Sequence, residues 1–168
     1  MTSINIRQAS IDDLPLILSF THAIHLQEDD QSIPTNPNFL SHLEKWLKQE
    51  LENSLSLFLI AEIQSELKKS KEENITVGFI GSTTVINDNG FLINPTKGVI
   101  HLLWVEKKYR RQGISKQLVT VIESCFKENA INVIECSFTK KNTLAEHFWN
   151  DAGYQVQSLT ARKILTQR

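Results

Sequence analysis

The chain reads as an α/β protein, a mixed β-sheet flanked by helices. Three observations predict this. Short apolar runs, Leu55 to Ile63, Thr76 to Ile86 and Val99 to Val105, have the length and composition of strands. Before and after them lie stretches whose apolar residues recur at helical spacing. Turn-forming residues, among them Pro34, Pro37, Asn87-Asp88-Asn89-Gly90, Pro95 and Gly98, mark the boundaries.

Taken in order, Ile4-Asn5-Ile6-Arg7 alternates as a short first strand. Ser10 or Asp12 supplies a cap for the next segment, and Pro15 suits a first helical turn. Leu14, Ile17 and Leu18, with Ala23 and Leu26, form its apolar stripe. Glu28 to Asn38 is polar and carries two prolines, so it reads as a loop between helices. Phe39 to Leu51 is a second amphipathic helix with Leu40, Leu43, Leu47 and Leu51 near one face. Trp46 and Phe39 pack that helix. The strand at Leu55–Ile63 leads through a charged connection, Gln64 to Asn74, to the strand at Thr76–Ile86. After the Asn-Gly turn, Val99 to Val105 is a central strand. Gly113 opens a helix that runs to about Glu128, and Val133 to Phe138 is the next strand. Asn142 to Ala152 is a last helix closed by Gly153. Tyr154 to Leu165 is expected as one strand or a broken pair.

At 168 residues, 40% hydrophobic and 22% charged, the chain is expected to be a single domain over residues 1–168 with a real core. A formal net charge of -1 argues against global attraction to nucleic acid or an anionic membrane. Cys125 and Cys136 lie in different elements without metal-ligand spacing, and His22, His25 and His147 fix no third ligand, so no metal site is expected. Charged and polar residues interrupt Ile4 to Leu14, unlike a signal peptide, and no apolar run reaches membrane-spanning length. A reduced, cytoplasmic protein is the expectation. Exposed sheet edges leave a homodimer open.

The positive charge is local. Lys107, Lys108, Arg110 and Arg111 fall within five residues, between the central strand and the helix at Gly113. Helix-opening N–H groups lack intrahelical acceptors and suit a phosphate. Gly113 lets backbone pass close to a ligand, so amides from Gln112 to Lys116 can converge on a pyrophosphate, with Arg110, Arg111 and Lys116 as charged donors. A solvated basic turn beside an ordinary cap is the alternative. Two other phosphate motifs fail: no lysine–hydroxyl pair follows Gly113, and the several glycines of a dinucleotide fingerprint are missing.

Arg110-Arg111-Gln112-Gly113-Ile114-Ser115, between Val105 and Leu118, resembles the acyl-CoA-binding motif of the GNAT N-acetyltransferase superfamily. Arg110 and Gly113 match the family's pattern. Ser115 stands where glycine or alanine is usual, and Lys107 where proline is frequent. Asn142, Ala145, Phe148, Gly153 and Tyr154 resemble the family's later segment. The likeness covers nearly the whole chain. It implies a GNAT-like α+β fold: a mixed, mostly antiparallel central sheet with a splayed parallel strand pair, here Val99–Val105 and Val133–Phe138.

The resemblance also implies a reaction, transfer of an acetyl group from acetyl-CoA directly to a primary amine of a small molecule or peptide. Trp104, Val105, Arg110, Arg111, Gln112, Gly113, Ile114, Ser115, Lys116, Asn142 and Trp149 are its expected cofactor-binding residues. The N–H near Val105 is the expected donor to the thioester oxygen, and Asn142 the partner of the pantetheine arm. Many relatives carry a tyrosine after the residue matching Phe148, as proton donor to the leaving thiolate. This chain has Trp149 there, a poor proton donor, so Tyr109, Tyr154 or water is left for that role. His101 is a candidate general base, on the Val105 face of the strand by its spacing of four. Glu106 is the alternative, and Glu28, Asp29 and Asp30 could draw a cationic amine to the cleft. Cys136 is not expected to form an acyl-enzyme. The competing reading is a catalytically weak acyl-CoA-binding or regulatory module.

Overall fold

The computed structural model describes residues 4–29, 32–64, 74–88, 90–91 and 93–165. The chain divides into two units, Met1–Ser137 and Phe138–Arg168.

The first unit holds a five-stranded sheet in sequence order: β1 (Ile4–Gln8), β2 (Ser56–Gln64), β3 (Asn74–Ile86), β4 (Thr96–Val105) and β5 (Ile134–Cys136). Neighbours are antiparallel except the parallel pair β4 and β5. The fold is the mixed, mostly antiparallel sheet flanked by helices that the sequence predicts. Helices α1 (Leu14–Glu28) and α2 (Phe39–Glu52) follow β1. Pro15 sits in the first turn of α1, and the N–H of Ser10 donates to Asp13 Oδ2 at 2.8 Å in a short 3-10 turn ahead of it. Helix α3 (Ile114–Glu128) links the two parallel strands. Most of the charged connection before β3 (65–73), Asp30 and Asn89 of the expected turn lie outside the described residues. No helix among the described residues is long and apolar enough to cross a membrane.

Period-two alternation gives the sheet two apolar faces. Phe58, Ile60, Phe79 and Leu102 meet Ile17 and Phe20 of α1 and Leu47 of α2 in one core cluster. The α1 stripe is narrower than the spacing suggests, since Leu26 is mostly exposed. Helix α3 covers the opposite face with Ile114, Leu118, Val119, Ile122 and Phe126, all buried. Phe126 lies so close to β4 that a Cβ on Gly98 would come within 2.5 Å of its ring. Only a residue without a side chain admits that approach.

Two strand expectations change. β5 has three residues, not six, although the Gly98 N–H still reaches the Val133 carbonyl at 2.9 Å. Residues 154–165 form no strand. From Gln155 onward every described side chain is exposed, Leu159 and Leu165 to 87% and 79%. Apolar residues alone do not make a strand; a ladder partner and a face to bury are also required.

In the second unit, helix α4 (Thr143–Asp151) is capped by Asn142, whose Oδ1 accepts the Ala145 N–H at 3.0 Å. Its end is closed where Gly153 N–H and Tyr154 N–H return to the carbonyls of Asn150 and Trp149.

The sheet edge at β1 is held by charge. Arg7 donates to both carboxylate oxygens of Asp13 at 2.7 and 2.8 Å, and its Nε to Glu62 Oε1 at 2.9 Å. Glu62 is 6% exposed, so its charge requires that partner. The Asp13 carboxyl is held below its ordinary 3.8 chiefly by the Arg7 hydrogen bonds. A carboxyl depressed in the folded state contributes fully above its ordinary value and loses that contribution as the pH falls through the folded one. Arg7→Met should therefore cost about 3 kcal/mol at neutral pH. In urea titrations the gap between variant and parent should narrow as the pH drops below 3.8.

Candidate functional site

The two parallel strands pair over only part of β4, because β5 ends at Cys136. Their register runs Gly98–Ile134, Val99–Glu135, Ile100–Cys136 and stops. A Lys97–Glu135 ion pair of 2.6 Å spans the joined end. β4 continues through Val105 along β3, so its far half has β3 on one side and no strand on the other among the described residues.

The register also shows which backbone groups face that opening. Ser82 pairs with Ile100 and Gly81 with Leu102, leaving His101 as an extra residue, a β-bulge. Beyond it, the Glu106 N–H donates to the Val77 carbonyl at 2.8 Å, toward β3. Strand amides alternate in direction, so the N–H groups of Val105 and Leu103 point to the side β5 has left. Val105 is the donor expected from the sequence. Leu103 is a second one, two residues earlier, that strand periodicity could have revealed.

The bulge overturns one expectation. A spacing of four does not put His101 on the Val105 face, because the extra residue reverses the alternation. Val105 lies over Gly78, on the α3 side, whereas Leu102 and Trp104 join the α1–α2 cluster. His101 turns to the α2 side as well, where it feels the charge of Glu50. Desolvation pulls its imidazole below the ordinary 6.5, and Glu50 opposes this with a smaller upward effect. The neutral ring, a proton acceptor, is therefore favoured near neutrality.

Glu50 was missed by the sequence reading. Its Oε2 accepts hydrogen bonds from the hydroxyls of Ser56 and, at 3.2 Å, Thr83. The available signal was a carboxylate three residues beyond the fully buried Leu47, on the inward stripe of α2.

At the other end of β4, Glu106 begins the basic turn; its carbonyl accepts the Tyr109 N–H at 2.8 Å. Arg110 folds back, its Nε donating to the Val105 carbonyl at 2.9 Å and its guanidinium 4.8 Å from the Trp104 ring centroid. Lys108 lies over Tyr109. Arg111 (φ 65) and Gly113 (φ 80) are both left-handed. Gly113 is the N-cap of α3, and the first intrahelical bond is Gln117 N–H to the Gly113 carbonyl at 3.0 Å. With no side chain at the cap, the N–H groups of Ile114, Ser115 and Lys116 are left as donors. A Cβ on Gly113 would meet nothing within 4 Å, so the approach to these amides is open. Arg111, Gln112 and Lys116 are exposed around it. A groove of about 410 Å³, lined by Gly113, Lys116, Gln117, Thr120, Val121 and Ile6, runs beside the first turns of α3.

Among the described residues, the Trp104 indole N–H is a buried side-chain donor with no partner, a cost of about 1–3 kcal/mol unless a ligand or water meets it. Cys136, the last paired residue of β5, has its thiol pushed up to about 11 by burial, which suits packing and not nucleophilic attack. No group of three His, Cys, Asp or Glu among the described residues could hold a metal ion.

Asn142 and Trp149 belong to the second unit. Asn142 serves as the α4 cap. Trp149 is buried, edge-on to Phe148 at 5.1 Å and to Tyr154 at 4.9 Å. The Tyr154 ring is thus engaged in packing.

Arg110 braces the strand end through a charge-assisted bond and a cation–π contact. Arg110→Met should lower unfolding free energy in urea by about 2 kcal/mol.

The comparisons with known proteins agree with this fold. No curated protein matches the sequence. Solved structures do. A predicted acetyltransferase with acetyl-CoA from Clostridium acetobutylicum is 20% identical, with 95% of this chain and 96% of that one covered and a TM-score of 0.74. An aminoglycoside antibiotic 6'-N-acetyltransferase from Acinetobacter baumannii is 15% identical over 99% and 100%, TM-score 0.70. A transcriptional regulator from Bacillus halodurans C-125 is 17% identical over 97% and 100%, TM-score 0.69. At these identities the structures establish a shared fold. The family model for the acetyltransferase (GNAT) family matches residues 23–154. With the far half of β4 unpaired on one edge and the open-capped helix beyond the basic turn, the chain belongs to the GNAT acetyltransferase family.

Proposed function

We propose that residues 1–168 act as a single N-acetyltransferase domain, moving an acetyl group from acetyl-CoA to a primary amine of a small molecule or peptide. The observation that carries this reading is the open edge of β4 aligned with the uncapped start of α3. A long donor with amides at one end and a pyrophosphate at the other matches that sequence of groups. The C. acetobutylicum neighbour with acetyl-CoA and the A. baumannii aminoglycoside enzyme support donor and acceptor class respectively.

The chain's groups fit the donor. Amides from Gln112 to Lys116, with Arg111 and Lys116, would hold the phosphates. Arg110 holds the Val105 carbonyl and so fixes the strand end from which the Val105 N–H projects. The N–H groups of Val105 and Leu103 would bond the amide arm and the acyl oxygen. Trp104, between these two donors on β4 and under the Arg110 guanidinium, would support the strand end against the ligand. Asn142 and Trp149 are donor-binding residues by the family resemblance alone. Bound there, acetyl-CoA supplies an acetyl group already activated as a thioester.

His101 would take the proton from the acceptor ammonium, directly or through water, from the α2 side of β4. Glu106, at the turn, is the alternative base. Direct transfer needs no acyl-enzyme, in keeping with the raised thiol of Cys136. A dedicated acid for the thiolate is not required in this scheme. A binding or regulatory module is the second reading, favoured by Trp149 and by the B. halodurans regulator among the neighbours. CoA binding without turnover on a broad amine panel would select it.

Two outcomes test the proposal. Gly113→Glu puts a carboxylate at the phosphate site and should weaken CoA binding about 100-fold by calorimetry. Unchanged affinity in the folded variant removes the site. The active His101 is neutral, so kcat/KM should rise with pH and its acidic limb should lie below 6.5. His101→Gln should abolish that limb and lower kcat/KM by about 100-fold or more, with CoA binding retained.

A further inference from the structure

Glu50 stands in an unusual position for a carboxylate. It lies near the end of α2 but projects over the sheet, where Ser56 of β2 and Thr83 of β3 both donate to its Oε2. The same two hydroxyls lie 3.1 Å apart, side by side on that one oxygen. Thr83 pairs with Val99, and the pairing of β4 with β5 ends just beyond it, after Ile100. The carboxylate therefore sits beside the root of the opening, on the face that His101 shares.

Among the described residues Glu50 has no counter-ion: no lysine or arginine pairs with it, and the nearby imidazole favours its neutral form. Elsewhere the inward carboxylates have a cation beside them: Asp13 and Glu62 share Arg7. A half-buried carboxylate fixed by two hydroxyls, with one oxygen uncommitted and no cation, is matched by a cationic ligand.

We infer that Glu50 receives a second cationic group of the acceptor, which places the substrate among diamines and polyamines rather than simple monoamines. This rests on the acetyltransferase reading, since it assigns the reacting amine to the strand opening beside His101. The far ammonium then reaches Glu50 while the near amine, deprotonated, meets the acyl group. Oε1 of Glu50 accepts the ammonium N–H, and Oε2 keeps its hydroxyl donors.

The test compares 1,4-diaminobutane with 4-amino-1-butanol, which differ only in the far group. Calorimetry on the unaltered protein should show the diamine binding about tenfold or more tightly. Glu50→Gln, close in shape, should bring the diamine to the level of the amino alcohol while CoA affinity stays unchanged. Glu50→Asp, which keeps the charge, should retain some of the preference. Equal affinities on the unaltered protein overturn the inference whether or not any variant folds, and so does a preference that survives in Glu50→Gln. Turnover separates this from the reading beneath it. A Glu50-dependent diamine preference without acetyl transfer upholds the recognition site and overturns the transferase. Acetylation of both amines at equal kcat/KM upholds the transferase and overturns the recognition site.

Discussion

The site depends on one interrupted ladder. β4 and β5 pair through Ile100 and Cys136 and then stop, while β3 keeps β4 straight through Val105. A parallel sheet normally satisfies every interior amide, because a buried unpaired donor costs about 1–3 kcal/mol. Here Leu103 and Val105 direct N–H groups into an opening. The fold stabilises the arrangement at the joined end, where Phe126 presses on Gly98 and Lys97 meets Glu135. Burial at one end of the strand pair lets the other end stay unpaired.

The bulge at His101 links that opening to the chemistry proposed for it. One extra residue flips the side-chain alternation at the level where the strands divide. Val105 consequently packs toward α3, and His101 faces α2 and the carboxylate of Glu50. A regular strand would have put His101 on the α3 side. Beyond the insertion the alternation is regular, so the amides of Leu103 and Val105 face the same edge. Side-chain and backbone functions are thus separated onto a face and an edge of a single strand.

Of the basic turn's charges, Arg110 is used internally, on Trp104 and the Val105 carbonyl. It couples the turn to the strand end, so the amides of α3 and the edge of β4 are held as one piece. Arg111 and Lys116 stay at the surface, near the helix end whose partial positive charge attracts anions. In the second unit, Trp149 is a packing residue between Phe148 and Tyr154.

The fold class, the family and the location of the basic turn before the helix at Gly113 are legible in the chain alone. They rest on local signals: apolar period, turn residues, and a glycine whose left-handed φ of 80 is required where the helix opens. Other features come from contacts between distant segments. The three-residue length of β5 and the unpaired 154–165 segment depend on whether a partner edge exists, and that is not a local property. The orientation of His101 depended on a bulge visible only in the register with β3. Glu50 looked like one charge among many on α2 until Ser56 and Thr83, brought in from two strands, fixed its carboxylate over the sheet. Periodicity places a residue on an element, but only pairing between elements sets the direction in which it points.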